Sequence, residues 1–308
     1  MNKNVFITGG NGQDNQILTI LLKKKKINLT IFYKDKKPKV RKGINYIKEN
    51  LLNKKNINKI FKSVKPDIVL HLAANNPSYN EKSYKIFFTQ NFSATKNIFQ
   101  STFKSNKKAK FIFCSSSQIF KQKIGTVNEK SQTLSKTDYT KFRIKSDLMM
   151  LDYKKKEKIY YTNAILFNHD SIFRNKKFLL PRIIFAIIKK NYTFLNDIIK
   201  ENIFADFSHA EDICHGLIKI MFGTKNFDKL ILSSGKSTSI NNIIKYIITK
   251  NKLLLNMNLK KHKTKKTLIG NNKLAKQKLS WSPKKNIYIA ADDIYRHMTS
   301  KRAASLKI

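Results

Sequence analysis

Cysteine is almost absent from this chain: Cys114 and Cys214 are the only two in 308 residues. They form no CxxC pair and have no histidine cluster beside them. That excludes a disulfide framework, argues against zinc and fits a reducing compartment such as the cytoplasm. None of the six histidines falls at metal-ligand spacing, so no metal site is expected. Long apolar runs are missing as well. The longest, FLLPRIIFAII at 178–188, is too short for a membrane span and is broken by Pro181 and Arg182. No charged region, apolar stretch and small-residue cleavage site precede the strand-like start MNKNVFITGG, so no signal peptide is expected.

Acidic residues are scarce, 19 against 63 Lys and Arg, giving a formal net charge of +44. Such a balance raises nucleic acid or an anionic surface as a partner. The lysines, however, fall in short runs at 23–26, 36–42, 104–110, 154–158 and 258–266, at helix ends or in loops. No RNP motif, zinc finger or arginine-rich arm accompanies them. A chain-wide richness in Lys, Asn, Ile and Phe, as drift in an AT-rich genome produces, explains the charge without a nucleic-acid or membrane partner. The positive field would still favour an anionic ligand, in a salt-dependent way.

What is present is a rhythm. Hydrophobic residues make up 41% of the chain, enough for a sizeable core. Short apolar runs at 4–8, 29–33, 67–74, 111–117 and 160–168 read as strands. Longer helical patterns at 15–25, 57–64, 81–104 and 138–156 separate most of them. This βαβ alternation predicts an α/β fold, a Rossmann-type doubly wound parallel sheet buried on both faces. After about residue 170 the pattern loosens into helices at 178–190, 239–250 and 288–298 and a strand at 229–235. Residues 1–168 are therefore expected to be mainly a dinucleotide-binding domain. Residues 169–308 are expected to be mainly a smaller substrate lobe, with some segments returning to the sheet.

Thr8-Gly9-Gly10-Asn11-Gly12-Gln13-Asp14 lies between the first strand and the first helix. Gly9 permits a tight turn, and Gly12 lets the backbone approach a pyrophosphate at the helix N-terminus. The strand–turn–helix context turns a weak glycine triplet into a cofactor fingerprint. The second strand ends Tyr33-Lys34-Asp35-Lys36. Lys34 suits the 2′-phosphate of NADP, whereas Asp35 keeps NAD as the alternative. Ser116 follows the strand at 111–117, on the sheet edge where such folds bind ligands. Tyr139 opens the next helix, with Arg143 one turn later. A tyrosinate beside a cation can accept a proton from a sugar hydroxyl, and Ser116 would hydrogen-bond the same oxygen.

With these residues in place the chain resembles the extended short-chain dehydrogenases/reductases, and within them the GDP-mannose 4,6-dehydratases, from about residue 4 to 297. GGNGQDNQIL at 9–18 resembles the pattern GxxGQDGxxL, and HLAANNPS at 71–78 resembles NLAAQS. CSSSQIF at 114–120 is similar to ASTSELYG, and Tyr139 to Arg143 is similar to YxxxK. ILFNHDS at 165–171 resembles ILFNHES, the most specific match; DFSHAEDI at 206–213 is similar to DWGHAKDY. LIGNNKLAKQKLSWSP at 268–283 resembles IGDPSKAKxxLGWxP.

The resemblance implies oxidation of a GDP-linked hexose at C4 by NADP, loss of water from C6, and return of the hydride. It implies Tyr139, Ser116, Gln118 and Arg143 as the catalytic set. Thr8, Gly9, Gly12, Gln13, Asp14, Lys34, Asn50, Leu51, Leu72, Ala73, Ala74, Tyr139, Arg143 and His169 would contact the cofactor. Asn75, Ser116, Asn168 and Arg182 would contact the sugar nucleotide. A homodimer or homotetramer built on the helices at 81–104 and 138–156 follows from the same resemblance. The departures are equally specific. Gln118 replaces the glutamate that removes the C5 proton, and an amide is no base. Arg143 replaces the lysine, Asn15 the third glycine, and Ala205 an arginine that helps to bind the diphosphate. Reduction or epimerisation of a 4-keto sugar, or an impaired homologue, is therefore the alternative expectation.

Overall fold

The structure, a computed structural model, describes residues 2–75, 85–254 and 266–305. Asn76, Pro77 and Ser78, the helix start expected at 81–84 and the lysine run over 258–265 lie outside the described residues.

Strand β1 (Lys3–Thr8) feeds helix α1 (Gln13–Leu22). There follow β2 (Ile27–Tyr33), β3 (Ile44–Lys48), α2 (Lys54–Val64), β4 (Ile68–His71), α3 (Lys85–Ser105) and β5 (Lys110–Ser116). A 3-10 turn (Ser117–Ile119) leads into β6 (Gly125–Val127), α4 (Asp138–Glu157), β7 (Tyr160–Leu166) and β8 (Asn168–Asp170). The second half holds α5 (Leu179–Ile188), α6 (Tyr192–Glu201), β9 (Phe204–His209), α7 (Ala210–Phe222), β10 (Lys229–Leu232) and β11 (Ser237–Ser239). Then come α8 (Ile240–Lys250), β12 (Leu268–Gly270), α9 (Lys273–Leu279) and α10 (Ile287–Ser305).

Seven strands form one parallel sheet in the order β10-β7-β5-β4-β1-β2-β3. The strand order reverses beside β1, so the C-terminal ends of β1 and β4 open a crevice where such sheets take ligands. Val5, Phe6, Ile7 and Thr8 are all buried because helices cover both faces of the sheet. One face packs α1, α7 and α9 into a core with Val5, Ile7, Leu70 and Trp281. The other packs α2, α3 and α4 through an aromatic cluster in which Phe6, Phe32 and Phe61 meet at 5.0–5.9 Å between ring centroids. Each fully buried ring of this kind contributes about 1.5–3 kcal/mol of transfer free energy.

Local chemistry sets the helix ends. Asn53 accepts from Asn56 N to start α2, and Thr137 and Thr140 form a reciprocal capping box that starts α4 one residue before Tyr139. A separate core joins α5, α6, α8 and α10 around Ile184, Ile198, Ile244 and Ile294. Two small sheets, β11-β9-β8 and β12-β6, edge this lobe. Asp206 ties them together, accepting from the backbone N–H groups of Ser234, Gly235 and Gly270 at 2.9–3.1 Å.

Several elements differ from expectation. The strand expected over 160–168 ends at Leu166, and Asn168 opens β8 in a different sheet. Helix α7 and Trp281, although late in the chain, pack on the large sheet and not in the core of the second lobe. Trp281 Nε1 donates to Asp212 O at 2.9 Å. Lys154, in one of the lysine runs, is structural: its Nζ reaches Tyr161 O and Phe227 O at 3.1 Å and Asp228 at 2.8 Å. Among the described residues no helix is long and apolar enough to cross a membrane.

Candidate active site

The loop between β1 and α1 forms one wall of a cleft of about 480 Å³. Gly9 has φ +86°, and a Cβ there would stand 3.2 Å from Ala73 N and 3.3 Å from Ala73 Cα. Only glycine allows the chain after β4 to pass so close. Gly12 caps α1 with no side-chain hydrogen bond, so the first N–H groups of that helix have no side-chain acceptor. Asn15, at the position of the third glycine, is buried; its Nδ2 lies 3.5 Å from Thr8 O and its own carbonyl accepts from Thr19 Oγ1 at 2.6 Å. The departure therefore leaves the turn intact.

The rest of the cleft comes from Lys34, Asp35 and Lys36 after β2, Asn50 and Leu51 after β3, Leu72 to Asn75 after β4, and Gln90, Asn91 and Ala94 on α3. Lys34, Asp35 and Lys36 are all exposed. Asn50 Oδ1 accepts from Leu52 N at 3.1 Å, so its side chain shapes the turn while Leu51 lines the wall. Asn75 is tied to α3 through Asn91 and Gln90.

Below the loop lies a buried polar relay. Thr8 Oγ1 accepts from Leu72 N and Ala73 N at 3.1 and 3.0 Å, which leaves its proton for His71 Nδ1 at 2.9 Å. His71 Nε2–H then donates to Thr95 Oγ1 at 3.0 Å. Burial, with Arg143 adding to it, pushes the His71 imidazolium down to about 3. The unfolded chain takes up this proton near pH 6.5 and the folded chain does not. Stability should therefore fall by about 1.4 kcal/mol per pH unit between roughly pH 6.5 and 3 on account of this one group. Urea unfolding at several pH values, compared with His71→Gln, should show a slope smaller by one proton in the variant; equal slopes would remove His71 from the account.

Gln13 and Asp14 line the cleft, but their side chains turn toward the second lobe. Gln13 Nε2 donates to His169 O at 3.1 Å, and Ser171 Oγ donates to Gln13 Oε1 at 2.9 Å. His169 gives Nδ1–H to Phe167 O at 2.6 Å and Nε2–H to both Asp14 oxygens at 3.1 Å. Burial opposes the charge on both partners, yet their pairing prevails: Asp14 lies below its ordinary value and His169 above it. His169 thus sits against the cofactor loop with Nε2 on the Asp14 carboxylate and Nδ1 on its own strand's backbone.

Ser116 ends β5, and its Oγ accepts from Gln118 N at 3.3 Å. Gln118 is exposed in the 3-10 turn. Tyr139 is buried beside Phe142, ring centroids 5.8 Å apart, with the Arg143 guanidinium 4.9 Å from its own ring centroid. Arg143 turns inward and donates to Cys114 O. It therefore braces α4 against β5, which carries Ser116. None of these four residues is in the lining of the cleft. Asn168 is exposed on β8, and Arg182 on α5 stacks on Phe194 at 4.8 Å within the second lobe. Arg174 lines the cleft although no motif pointed to it; a single arginine after ILFNHDS carries little signal in so basic a chain. His209 is an N-cap, its Nδ1 accepting from Glu211 N at 3.1 Å.

A doubly wound parallel sheet with a glycine loop at its strand-order reversal, followed by serine and tyrosine at the ends of β5 and α4, defines an extended short-chain dehydrogenase/reductase fold. The sequence profile of the GDP-mannose 4,6 dehydratase family matches residues 6–294, and the chain belongs to that family. Curated protein sequences give no match. The UDP-N-acetylglucosamine 4-epimerase of Methanobrevibacter ruminantium M1, in complex with UDP-N-acetylmuramic acid, superposes with TM-score 0.82 at 19% identity, covering 97% of this chain and 99% of that one. UDP-glucose 4-epimerase of Thermotoga maritima with UDP-glucose gives 0.81 at 15%, covering 97% and 99%. dTDP-glucose 4,6-dehydratase of Bacillus anthracis in complex with NAD gives 0.80 at 12%, covering 97% of each chain. At these identities the likeness is one of fold.

Proposed function

We propose that the protein binds NADP and oxidises a GDP-linked hexose transiently at C4, in the manner of a GDP-mannose 4,6-dehydratase. The observation that carries this reading is the cleft itself. The uncapped start of α1 and the Gly9 turn fit a pyrophosphate, and Leu51, Ala73 and Ala74 give the apolar walls a dinucleotide requires. Exposed Lys34 and Lys36 at its outer end suit a 2′-phosphate and favour NADP; Asp35 between them is the group that would accept the ribose of NAD. In this reading residues 1–168 mainly hold the cofactor and residues 169–308 mainly hold the sugar nucleotide, through Asn75, Asn168 and Arg182. Leu148 and Tyr153, exposed on α4, support self-association through α3 and α4.

Bound in the cleft, the nicotinamide supplies a hydride acceptor. Tyr139 Oη takes the proton of the sugar 4-hydroxyl. Ser116 Oγ already accepts from Gln118 N and so keeps its hydrogen for that same oxygen. Arg143 places a fixed cation against the Tyr139 ring, opposite the charge that develops there.

Gln118 favours a second reading. With an amide in place of the elimination base, the site suits reduction or epimerisation of a 4-keto sugar, or belongs to a catalytically impaired homologue. Mass spectrometry after incubation with NADP and GDP-mannose separates the two. A product lighter by one water without net NADPH supports dehydration; unchanged GDP-mannose from folded, cofactor-bound protein rejects it. Gln118→Glu should raise dehydration by about 10²-fold or more, and no gain would mean that Gln118 is not what limits elimination.

A further inference from the structure

Gln118 does not stand alone on the turn after β5; two lysines flank it. The arms 119–121 and 132–134 run antiparallel. Leu134 N donates to Ile119 O at 2.8 Å, Lys121 N donates to Gln132 O at 2.9 Å, and Phe120 bridges to Thr133. Carried two residues further toward α4, this register sets Lys136 opposite Ser117 and beside Gln118. Lys123 folds back onto the same turn: its Nζ donates to Gln118 O at 3.3 Å and to Phe120 O at 3.1 Å. Those two contacts fix the ammonium and leave one of its three N–H groups for a ligand. Partial burial first, and the charge of Lys136 second, hold the Lys123 ammonium below its ordinary value. Neither lysine is paired with an acid among the described residues. Glu129 is engaged elsewhere, accepting from Ile231 N at 3.0 Å. Two cations are thus held close together around an amide, with no acid to answer them.

We propose that the site takes a sugar nucleotide with a carboxylate at C6, a hexuronate, which Lys123 and Lys136 bind and which loses CO2 after oxidation at C4. An anion between two like charges relieves their repulsion and forms a charge-assisted hydrogen bond with each. The same substrate accounts for Gln118. A neutral hexose needs a base for its C5 proton, and an amide cannot serve. A hexuronate needs none. Tyr139 Oη takes the proton of the 4-hydroxyl as hydride leaves C4 for the nicotinamide, and the C6 carboxylate then lies β to a ketone. The C5–C6 bond breaks, C6 leaves as CO2, and the electron pair moves through C5 into the C4 carbonyl as an enolate. C5 takes one proton from water, hydride returns to C4, and Tyr139 gives its proton back to that oxygen. The product is a pentose nucleotide and the cofactor is unchanged.

The inference rests on the reading that C4 is oxidised at this site, and one set of substrates separates the two. The full chain is given NADP with two matched pairs, GDP-mannuronate with GDP-mannose and UDP-glucuronate with UDP-glucose. Mass spectrometry should show one hexuronate losing CO2 without net NADPH. That hexuronate should bind about tenfold or more tightly than its neutral partner. Lys123→Gln combined with Lys136→Gln should abolish this preference in a protein that thermal unfolding shows to be folded. An unchanged preference in the folded variant overturns the role of the two lysines. Loss of water from GDP-mannose, with both hexuronates retaining their carboxylate, overturns the inference and leaves oxidation at C4 standing. Hydride transfer from none of the four sugars removes the C4 reading, and decarboxylation with it.

Discussion

A Tyr139→Phe protein is expected to fold, to bind cofactor and to lose hydride transfer by about 10²–10⁴-fold. The fold should survive because the ring carries the packing. It keeps its edge contact with Phe142 at 5.8 Å and its face toward Arg143 at 4.9 Å. Only the hydroxyl is removed, and that is the atom given the proton of the sugar. Nicotinamide absorbance with the substrate, beside an NADPH binding titration, separates chemistry from binding. Normal turnover would rule out Tyr139 as the base and leave the protein a binder whose chemistry, if any, lies elsewhere.

Gly9→Val is expected to cost cofactor affinity at least hundredfold. Two penalties act together. A β-branched residue at φ +86° is strained by about 1–3 kcal/mol. Its Cβ would also press on the Ala73 backbone at 3.2–3.3 Å, pushing the β4 exit out of the cleft wall. Gly43→Val supplies the control. Gly43 has φ +81° with nothing within 4 Å of an added Cβ, so it carries the strain without the crowding. Thermal unfolding should therefore show both variants destabilised, with cofactor binding lost in Gly9→Val alone. Equal binding in the two would mean that the closeness of Gly9 to Ala73 does not shape the site.

Much of this architecture is readable from residue order because its signals are local. Val5 to Thr8 is a short apolar run closed by two glycines, and the turn that follows needs a positive φ at Gly9. The parallel sheet follows from alternation of such runs with helical periods. Strand β3 is harder to read. INYIK sits at the sheet edge, mixes lysine and asparagine with its apolar residues, and is not fully buried. Helix α7 was legible in principle: Ile213, Cys214, Leu217, Ile220 and Met221 keep a helical period, partly hidden by the DFSHAEDI motif that overlaps its start. The three-residue strands β6, β8, β11 and β12 carry no signal of their own, since each exists through a partner far along the chain.

The site divides in the same way. The glycine loop is a local pattern, whereas the pairing of Asp14 with His169 joins residues 155 apart and no spacing rule announces it. Arg143 shows the opposite limit. Sequence places it one turn after Tyr139, but only the structure shows it turned inward to Cys114 O.

The position of β10 bears on how the chain is made. It is an edge of the large sheet, paired to β7, yet it is synthesised only after α5, α6, β9 and α7. At ribosomal rates of about 5–20 residues per second, β7 emerges and waits several seconds with one row of backbone N–H and C=O groups unpaired. Leu166 and Ile165, both buried in the finished protein, sit on that waiting edge. Nascent chains stalled between Leu166 and Lys229 should therefore be the species most prone to pair with one another or to recruit a chaperone.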